Sequence, residues 1–422
     1  MRFTALADWL AWQETLHPRP IDMGLARVRQ VFERMGGGKR VPFTITVGGT
    51  NGKGSCVAML DAILRIQGYK VGTYTSPHIL KYNERIRIDG RMAEDARICE
   101  AFARIDAARG DISLSFFEFG TLAALDIFAD EDLDIQILEV GLGGRLDAVN
   151  IIDADAALLA SIAIDHQDWL GHTREAIGLE KAGIFREGRP AVAGDPELPA
   201  PVVRYAQAHH VPLRRLGADF EYEVSAEGWT WHGEAGSYPD LPWPAIPGDH
   251  QLMNAAAVLE LLSLISRERP VSMQAIRRGL AEVSLTGRFQ RFPGEVPILL
   301  DVAHNPQAVE MLAAYVKREF AGRKVRAVFS VMRDKDINGI IENIRDVVDH
   351  WYLAPLAMPR AATSAELLNV FGVLGVERVD DGYADVAQAF AQARRDAGAG
   401  DLILVFGSFF LISEFLAQYS PD

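Results

Sequence analysis

Residues 46–56 read TVGGTNGKGSC, a glycine-rich stretch in which a lysine and a serine precede an apolar helical pattern. The common phosphate-binding loop, GxxxxGK[ST], separates its first glycine from the Gly-Lys pair by four residues. Here three residues separate Gly48 from Gly52, and Gly54 stands between Lys53 and Ser55. Glycines between a buried strand and a helix let backbone amides approach an anion, and the helix start favours negative charge. The stretch therefore predicts a variant phosphate-binding loop.

Short β-branched runs alternate with helical patterns around this loop. FTITVG precedes it, a helix is predicted from about Lys53 to Gln67, and VGTYTS, DIQILEVG and ALLASIAID follow as strands. This alternation is typical of parallel strands joined by crossover helices, with ligands at the carboxyl ends of the strands. We predict an α/β protein whose first domain is a P-loop-containing ATPase domain with a mostly parallel sheet.

A second series of alternating elements follows further along the chain. Residues 189–247 predict peripheral strands and loops, including the hairpin-like YEVSAEGWTWHG, and helices are expected over 252–266 and 273–283. ILLDVA, VRAVFSV and LILVFG then predict the strands of a smaller Rossmann-like α/β domain. We place the boundary near Phe292, which gives domains of residues 1–292 and 293–422.

Composition excludes several classes of protein. The 422 residues carry a formal net charge of −14, from 43 Lys and Arg against 57 Asp and Glu, without a basic block, so we expect no nucleic-acid partner. No apolar run approaches the roughly 20 residues that span a bilayer. The start of the chain carries Asp8 and Glu14 in its apolar pattern and does not read as a signal peptide. We therefore expect a cytoplasmic protein, with Cys56 and Cys99 as reduced thiols without a catalytic role.

Metal-binding candidates follow three predicted strands. Glu139 ends the apolar strand of ILEVGLGGRLDAVN, and a buried carboxylate there is suited to hold Mg²⁺. Ser76, after the second strand, offers a hydroxyl. Asp165 and His166 are predicted to end a further apolar strand at the same sheet edge, which makes His166 a candidate ligand of a second metal ion.

Lys181 lies on the helix that follows, in GLEKAGIFR. As an ammonium group it would bind phosphate, whereas a carbamylated lysine would offer carboxylate oxygens to a metal ion. The residues alone leave both alternatives open.

Polar residues also mark the second half of the chain. ILLDVAHNPQAV places Asp301, His304 and Asn305 at a strand tip and helix start, TGRFQ contributes Arg288, and GDHQLMNAA contributes Asn254. An arginine near a nucleotide is suited to bind phosphate oxygens.

Taken together, GTNGKGS, TSPH, EVGLGGRLDAVN, DHQDWLG, EKAGIFR, GRF and DVAHNP resemble the folylpolyglutamate synthase family. The resemblance is greatest to its bacterial bifunctional dihydrofolate synthase/folylpolyglutamate synthase members, relatives of the Mur ligases, and runs from about residue 21 to residue 407. It implies a Mur-ligase-like fold in which ATP phosphorylates the carboxylate of dihydropteroate or a folate. The amine of L-glutamate then attacks the acyl phosphate to form an amide.

The resemblance also implies roles for individual residues. Nucleotide binding falls to Gly49, Thr50, Asn51, Gly52, Lys53, Gly54, Ser55, Asn254, Arg288, Asp301 and His304. Mg²⁺ binding falls to Ser76, Glu139, His166 and Lys181, with Lys181 N6-carboxylated and K⁺ as an additional monovalent cation. The catalytic set comprises Lys53, Glu139, His166 and Lys181. The residues implied to bind the pteroate or folate are Phe117, Glu118, Arg145, Asp147 and Asn150. The second domain is implied to contribute to glutamate binding. We expect the protein to be a monomer.

Three alternatives differ in chemistry. A monofunctional folylpolyglutamate synthase would also carry SFFEFG. The tail GSFFL has Phe410 where the bifunctional pattern has a histidine, so the resemblance implies no role for this side chain in glutamate binding. A Mur-type amino-acid ligase usually lacks the glycine found at Gly54 and has a uridine-binding domain before its loop. A P-loop regulatory ATPase would hydrolyse ATP without any acyl acceptor.

Overall fold

A computed structural model describes residues 1–19, 21–37 and 41–419 of the chain. These form two compact units. The first comprises Met1–Ala163, Asp168–Ala245 and Gln251–Ser284; the second comprises Ile164–Gln167, Ile246–His250 and the chain from Leu285 onward.

The strands that precede Leu285 form two sheets. They are β1 Phe43–Gly48, β2 Val71–Tyr74, β3 Ile86–Ile88, β4 Arg91–Met92, β5 Ile135–Glu139, β6 Ala156–Leu159, β7 Ala191–Ala193, β8 Leu213–Arg215, β9 Glu221–Val224, β10 Trp229–Gly233 and β11 Gly236–Leu241. The larger sheet has the order β4-β3-β2-β5-β1-β6-β7-β8 and is parallel from β2 to β8. Its edge strands β3 and β4 are antiparallel and were not predicted. The remaining strands form the antiparallel sheet β11-β10-β9, which contains the predicted hairpin.

The helices that precede Leu285 connect and cover these strands. They are α1 Leu6–Leu16, α2 Ala26–Arg34, α3 Lys53–Gln67, α4 Asp95–Arg109, α5 Phe116–Asp130, α6 Gln167–Leu170, α7 Arg174–Ala182, α8 Ala200–Ala208, α9 His250–Leu264 and α10 Met273–Glu282, with 3₁₀ turns at Tyr82–Arg85 and Ala148–Ile151. The predicted bounds of β1 and α3 are both confirmed to the residue.

Strand β1 lies in the middle of the larger sheet. It is buried from Thr44 to Gly48 and pairs with β5 on one side and β6 on the other. Helix α3 connects β1 to β2, which lies on the far side of β5. Strand β6 lies on the other side of β1. Ligand sites of open parallel sheets lie where chain connections diverge in this way. The loop between β1 and α3 therefore occupies the position expected of a nucleotide site.

The second unit contains a six-stranded sheet. Its elements are β12 Gln290–Phe292, β13 Ile298–Asp301, α11 Pro306–Glu319, β14 Val325–Phe329, α12 Ile337–Ile344, β15 His350–Leu353, α13 Ser364–Val373, β16 Val379–Asp380, α14 Val386–Asp396, β17 Leu402–Phe406 and α15 Phe409–Gln418. The order β12-β13-β17-β14-β15-β16 is parallel except at β12, which runs antiparallel to β13. This pairing explains why the second unit begins at Leu285 and not near Phe292.

The α/β class agrees with the prediction, but one strand end does not. Strand β6 ends at Leu159, so Asp165 and His166 do not end a strand as predicted. The apolar run continues past the last residue that pairs in the sheet. There Ser161 and Ala163 bond to the glycine loop, and Ile162 N donates to Asp195 Oδ2. Within the described part of the chain, no helix is long and apolar enough to cross a membrane.

Candidate active site

The glycine loop uses backbone conformations that favour glycine. Gly49 has φ = +141°, and Gly52, which caps the start of α3, has φ = +85°. A Cβ atom on Gly52 would lie 2.5 Å from Asn254 Oδ1, so the side chain of Asn254 packs directly on the loop. Asn254 is 7% exposed and donates from Nδ2 to Gln251 Oε1 at 3.0 Å. The structure thus brings one predicted nucleotide residue, distant in sequence, against the predicted loop.

Hydrogen bonds attach the loop to the segment after β6. Thr50 N donates to Ser161 O at 2.7 Å, and Asn51 N donates to Ser161 Oγ at 3.1 Å. The hydroxyl of Thr50 accepts from Ala163 N at 3.0 Å. Amides of the first turn of a helix have no acceptor within that helix, and α3 begins at Lys53, immediately after this attached loop. The geometry therefore presents a fixed helix start suited to an anion.

Two lysine side chains converge on one carbonyl oxygen of the loop. Lys53 Nζ donates to Gly49 O and Thr50 O, both at 3.0 Å, and Lys181 Nζ donates to Gly49 O at 2.9 Å. Because both nitrogens bond to the same oxygen, they lie at most about 6 Å apart. Lys181 is only 4% exposed. The two side-chain nitrogens therefore meet at one oxygen atom beside the loop.

Glu139 supplies a buried carboxylate at the end of β5. It is 4% exposed, and Oε2 accepts a hydrogen bond from Ser76 N at 3.2 Å, which places two predicted metal ligands together. Burial and the charge of Glu139 raise the pKa of the Cys56 thiol, which follows the loop on α3. The Cys56 side chain is buried, and its lack of a catalytic role stays a prediction.

The predicted substrate residues surround a second glycine-rich segment. A Cβ on Gly141 would lie 2.6 Å from the Phe117 ring, and one on Gly143 would lie 2.9 Å from Met23 Cε, so both side chains pack on this segment. Glu118 is 3% exposed, and its two oxygens accept from Ser115 N at 2.8 Å and from Arg27 Nη2 at 3.2 Å. Glu118 therefore holds the start of α5, and its direct contact with substrate stays a prediction.

The other three predicted substrate residues shape the same segment. Asp147 accepts from Leu142 N at 2.8 Å and Val149 N at 3.0 Å, and burial raises its pKa to about 6. Asn150 Nδ2 donates to Arg145 O and to Gly183 O. Arg145 is half exposed and pairs with Glu180 at 2.8 Å. Of these three side chains, that of Arg145 is the most accessible to a ligand.

The second unit contains the remaining predicted residues. Asp301 accepts from Phe289 N at 2.9 Å and Ala303 N at 2.7 Å, and burial raises the pKa of its carboxyl group. The guanidinium of Arg288 lies 5.1 Å from the centre of the Phe409 ring, and His304 contacts that ring at 5.8 Å. Burial and the charge of Lys335 lower the pKa of His304 to about 4, so the imidazole is neutral near pH 7.

His166 also belongs to the second unit, where it joins an ion pair. Lys335 Nζ lies 2.7 Å from Asp165 Oδ1 and 3.4 Å from His166 Nε2, while His304 Nε2 lies 3.7 Å from Asp165 Oδ2. Burial alone would raise the pKa of Asp165, but Lys335 and the two histidines outweigh it and lower that pKa. The predicted role of His166 as a metal ligand stays a prediction.

Comparison with known proteins identifies the family of this chain. Residues 287–409 match the model of the Mur ligase, glutamate ligase domain. The chain is 46% identical to the dihydrofolate synthase/folylpolyglutamate synthase of Escherichia coli K12, over 97% of this chain and 94% of that protein.

The chain belongs to the dihydrofolate synthase/folylpolyglutamate synthase family. It is thus an ATP-dependent ligase of the Mur ligase superfamily, as the sequence motifs implied. Solved structures agree. The E. coli FolC complex with DHPP and ADP has a TM-score of 0.93 and 45% identity, covering 98% of this chain and 97% of that one. A bifunctional folylpolyglutamate synthase/dihydrofolate synthase with Mn, AMPPNP and L-glutamate bound has a TM-score of 0.90 and 44% identity, covering 98% of each chain.

For this family member, Lys335 is the main residue that the sequence interpretation missed. It lies in VMRDKDIN after β14, and its side chain is 7% exposed. A charged residue just beyond the end of a parallel strand was the available signal, the same one that drew attention to Glu139. Within the described residues, no group of three or more His, Cys, Asp or Glu side chains could hold a metal ion.

Glycines at the two ends of α3 allow a matched test of the role of the glycine loop in ATP binding. Gly52→Ala should lower kcat/KM for ATP by about 100-fold, because the new methyl group displaces Asn254 and distorts the helix start. Gly68, at the other end of α3, also has a positive φ (+106°) but has open space around it. Gly68→Ala should cost about 1 kcal/mol of stability and leave kcat/KM unchanged. Steady-state kinetics and urea unfolding check both variants, and equal kinetic losses in the two would contradict the loop assignment.

Proposed function

We propose that this chain joins L-glutamate to the carboxylate of dihydropteroate and of folates, using ATP and an acyl-phosphate intermediate. The observation that carries the proposal is the convergence of Lys53 and Lys181 on Gly49 O at the start of α3. A carboxylate is a poor electrophile, and phosphoryl transfer to it develops charge on phosphate oxygens. Fixed amides and the Lys53 ammonium group at a buried helix start are suited to stabilise that charge.

Different residues of the first unit would bind ATP and the acyl substrate. Loop amides and Lys53 would bind the phosphates of ATP, while Phe117 and the segment around Gly141 would pack on the flat ring system of the substrate. Relatives support these substrates, because solved family members hold DHPP and ADP, or AMPPNP and L-glutamate. Placing the two reactants side by side converts a bimolecular step into an effectively unimolecular one.

The donors around Glu139 fit a divalent metal ion. Mg²⁺ prefers oxygen ligands, and the Glu139 carboxylate lies at hydrogen-bond distance from the backbone of Ser76, whose side chain adds a hydroxyl. A bound metal ion would neutralise charge on the phosphates of ATP. A solved relative contains Mn with AMPPNP, which supports a divalent cation at the nucleotide.

Lys181 fits this site better as a carboxylated lysine than as an ammonium group. Its nitrogen lies at most about 6 Å from that of Lys53 in a buried setting, where two positive charges repel strongly. Reaction of the Lys181 amine with CO₂ gives a carbamate, which replaces this repulsion by attraction and offers oxygen atoms to a metal ion. We infer that Lys181 is N6-carboxylated in the active enzyme.

The second unit is proposed to bind anionic groups of the nucleotide and of glutamate. Arg288 is a cation, and the match to the glutamate ligase domain of the Mur ligases covers it. Asp301 and His304 would contact the ribose and base. The cytoplasmic location, the monomeric state and the use of K⁺ stay predictions from the sequence.

Phosphate release separates the ligase from a regulatory ATPase. Purified protein should release phosphate from ATP only when L-glutamate and either dihydropteroate or a reduced folate are both present. Separate assays, one with dihydropteroate and one with a reduced folate, each with L-glutamate and ATP, distinguish the bifunctional enzyme from a monofunctional folylpolyglutamate synthase. Release that is independent of both substrates would contradict the proposal.

Carboxylation of Lys181 can be tested by removing CO₂. Degassed, bicarbonate-free enzyme should lose most of its activity and regain it when bicarbonate is added. Lys181→Ala should be inactive but partly restored by short carboxylic acids, whereas Lys53→Ala, which removes the other ammonium group at Gly49, should not respond to them. Full activity of an enzyme that shows no carbamate signal in ¹³C NMR spectra recorded with ¹³C-labelled bicarbonate would overturn the assignment.

A further inference from the structure

The segment 76–85, between β2 and β3, is unusually well fixed for a connecting loop. Glu84 accepts from three successive amides, Ile79 N at 2.8 Å, Leu80 N at 2.8 Å and Lys81 N at 2.7 Å. A carboxylate bound by several amides holds its loop in one conformation. The loop contains the TSPH motif, of which only Ser76 has so far been given a role.

The side chain of His78 is held by an adjacent arginine. Arg85 Nε donates to His78 Nδ1 at 2.8 Å, and the Arg85 guanidinium, 8% exposed, lies 5.5 Å from the ring centres of Tyr82 and Phe116. A guanidinium can only donate hydrogen bonds. His78 Nδ1 must therefore carry its lone pair, and the proton of the neutral ring is on Nε2.

His78 lies on the segment that joins the two halves of the first unit's site. At one end of the segment, Ser76 N bonds to the Glu139 carboxylate. At the other end, the Tyr82 ring contacts both His78 and Phe116, at 5.7 Å in each case, next to the substrate residue Phe117. The segment thus connects the Glu139 carboxylate with the start of α5, the helix that carries Phe117, and His78 lies between its two anchored ends.

We propose that His78 is a catalytic residue whose Nε2–H donates a hydrogen bond to the carbonyl oxygen of the acyl phosphate, and that Arg85 is the residue that positions it. The inference rests on the proposed ligase function and adds a residue to the same site. When the glutamate amine attacks, the new C–N bond forms and the carbonyl π electrons move to this oxygen. Collapse of the intermediate expels phosphate with the C–O electron pair, and the nitrogen loses a proton to solvent. A fixed neutral donor is suited to this oxygen, because the negative charge develops there only in the transition state.

Two amide variants of His78 distinguish the loss of the hydrogen-bond donor from a change in the shape of the side chain. His78→Gln can place its amide N–H near the position of Nε2, whereas His78→Asn can accept from Arg85 but does not reach that position. His78→Asn should lower kcat for amide formation about 100-fold, as expected for the loss of one oxyanion donor, and should keep KM for ATP. It should also keep the single-turnover formation of ADP that occurs without glutamate. His78→Gln should retain most of kcat.

The outcomes distinguish this inference from the proposed function. A wild-type enzyme without glutamate-dependent turnover would refute the proposed function itself. An active wild type with an unchanged kcat in His78→Asn, equal losses in both variants, or a loss confined to KM would refute only the role of His78.

A spectroscopic measurement tests the arrangement without relying on activity. In the wild-type enzyme labelled with ¹⁵N-histidine, the His78 signal, assigned from the His78→Gln spectrum, should show the proton on Nε2. Arg85→Met should shift this signal toward a mixture of tautomers, because Nδ1 loses its donor. A wild-type signal with the proton on Nδ1 would refute the proposal.

Discussion

The attachment of the glycine loop to the segment after β6 is the constraint on which the site depends. Thr50 and Asn51 bond to Ser161, and Thr50 also bonds to Ala163, so the loop cannot move independently of the sheet. This attachment fixes the start of α3, and with it the oxygen of Gly49 on which two lysines converge. It also explains why the β6 strand stops early, since the residues that follow it bond to the loop instead of extending the sheet.

Burial decides how the charged groups act. Glu139 and Lys181 are each 4% exposed, and a buried charge is costly unless a partner or ligand offsets it. A nucleotide with its metal ion brings charges of both signs and would offset both groups. In the second unit, Lys335 and Asp165 offset each other directly. The second cluster is therefore arranged around an internal ion pair.

Local patterns in the sequence predicted the features that depend on neighbouring residues. The bounds of β1 and α3 follow from a β-branched run, glycines and helical spacing, and Glu139 was found because it ends an apolar strand. Contacts between distant residues were not predictable in this way. Lys335 and Asp165 are 170 positions apart, and Arg27 and Glu118 are 91 positions apart. The family resemblance identified functional positions but did not reveal these supporting contacts.

The central claim is that ATP activates the substrate carboxylate as an acyl phosphate. Transfer of oxygen from that carboxylate to phosphate tests it most directly. With a folate whose reacting carboxylate carries ¹⁸O in both positions, each inorganic phosphate released should contain one ¹⁸O atom, as seen by mass spectrometry. Phosphate without label, formed while labelled folate is converted to its glutamate amide, would contradict the claim.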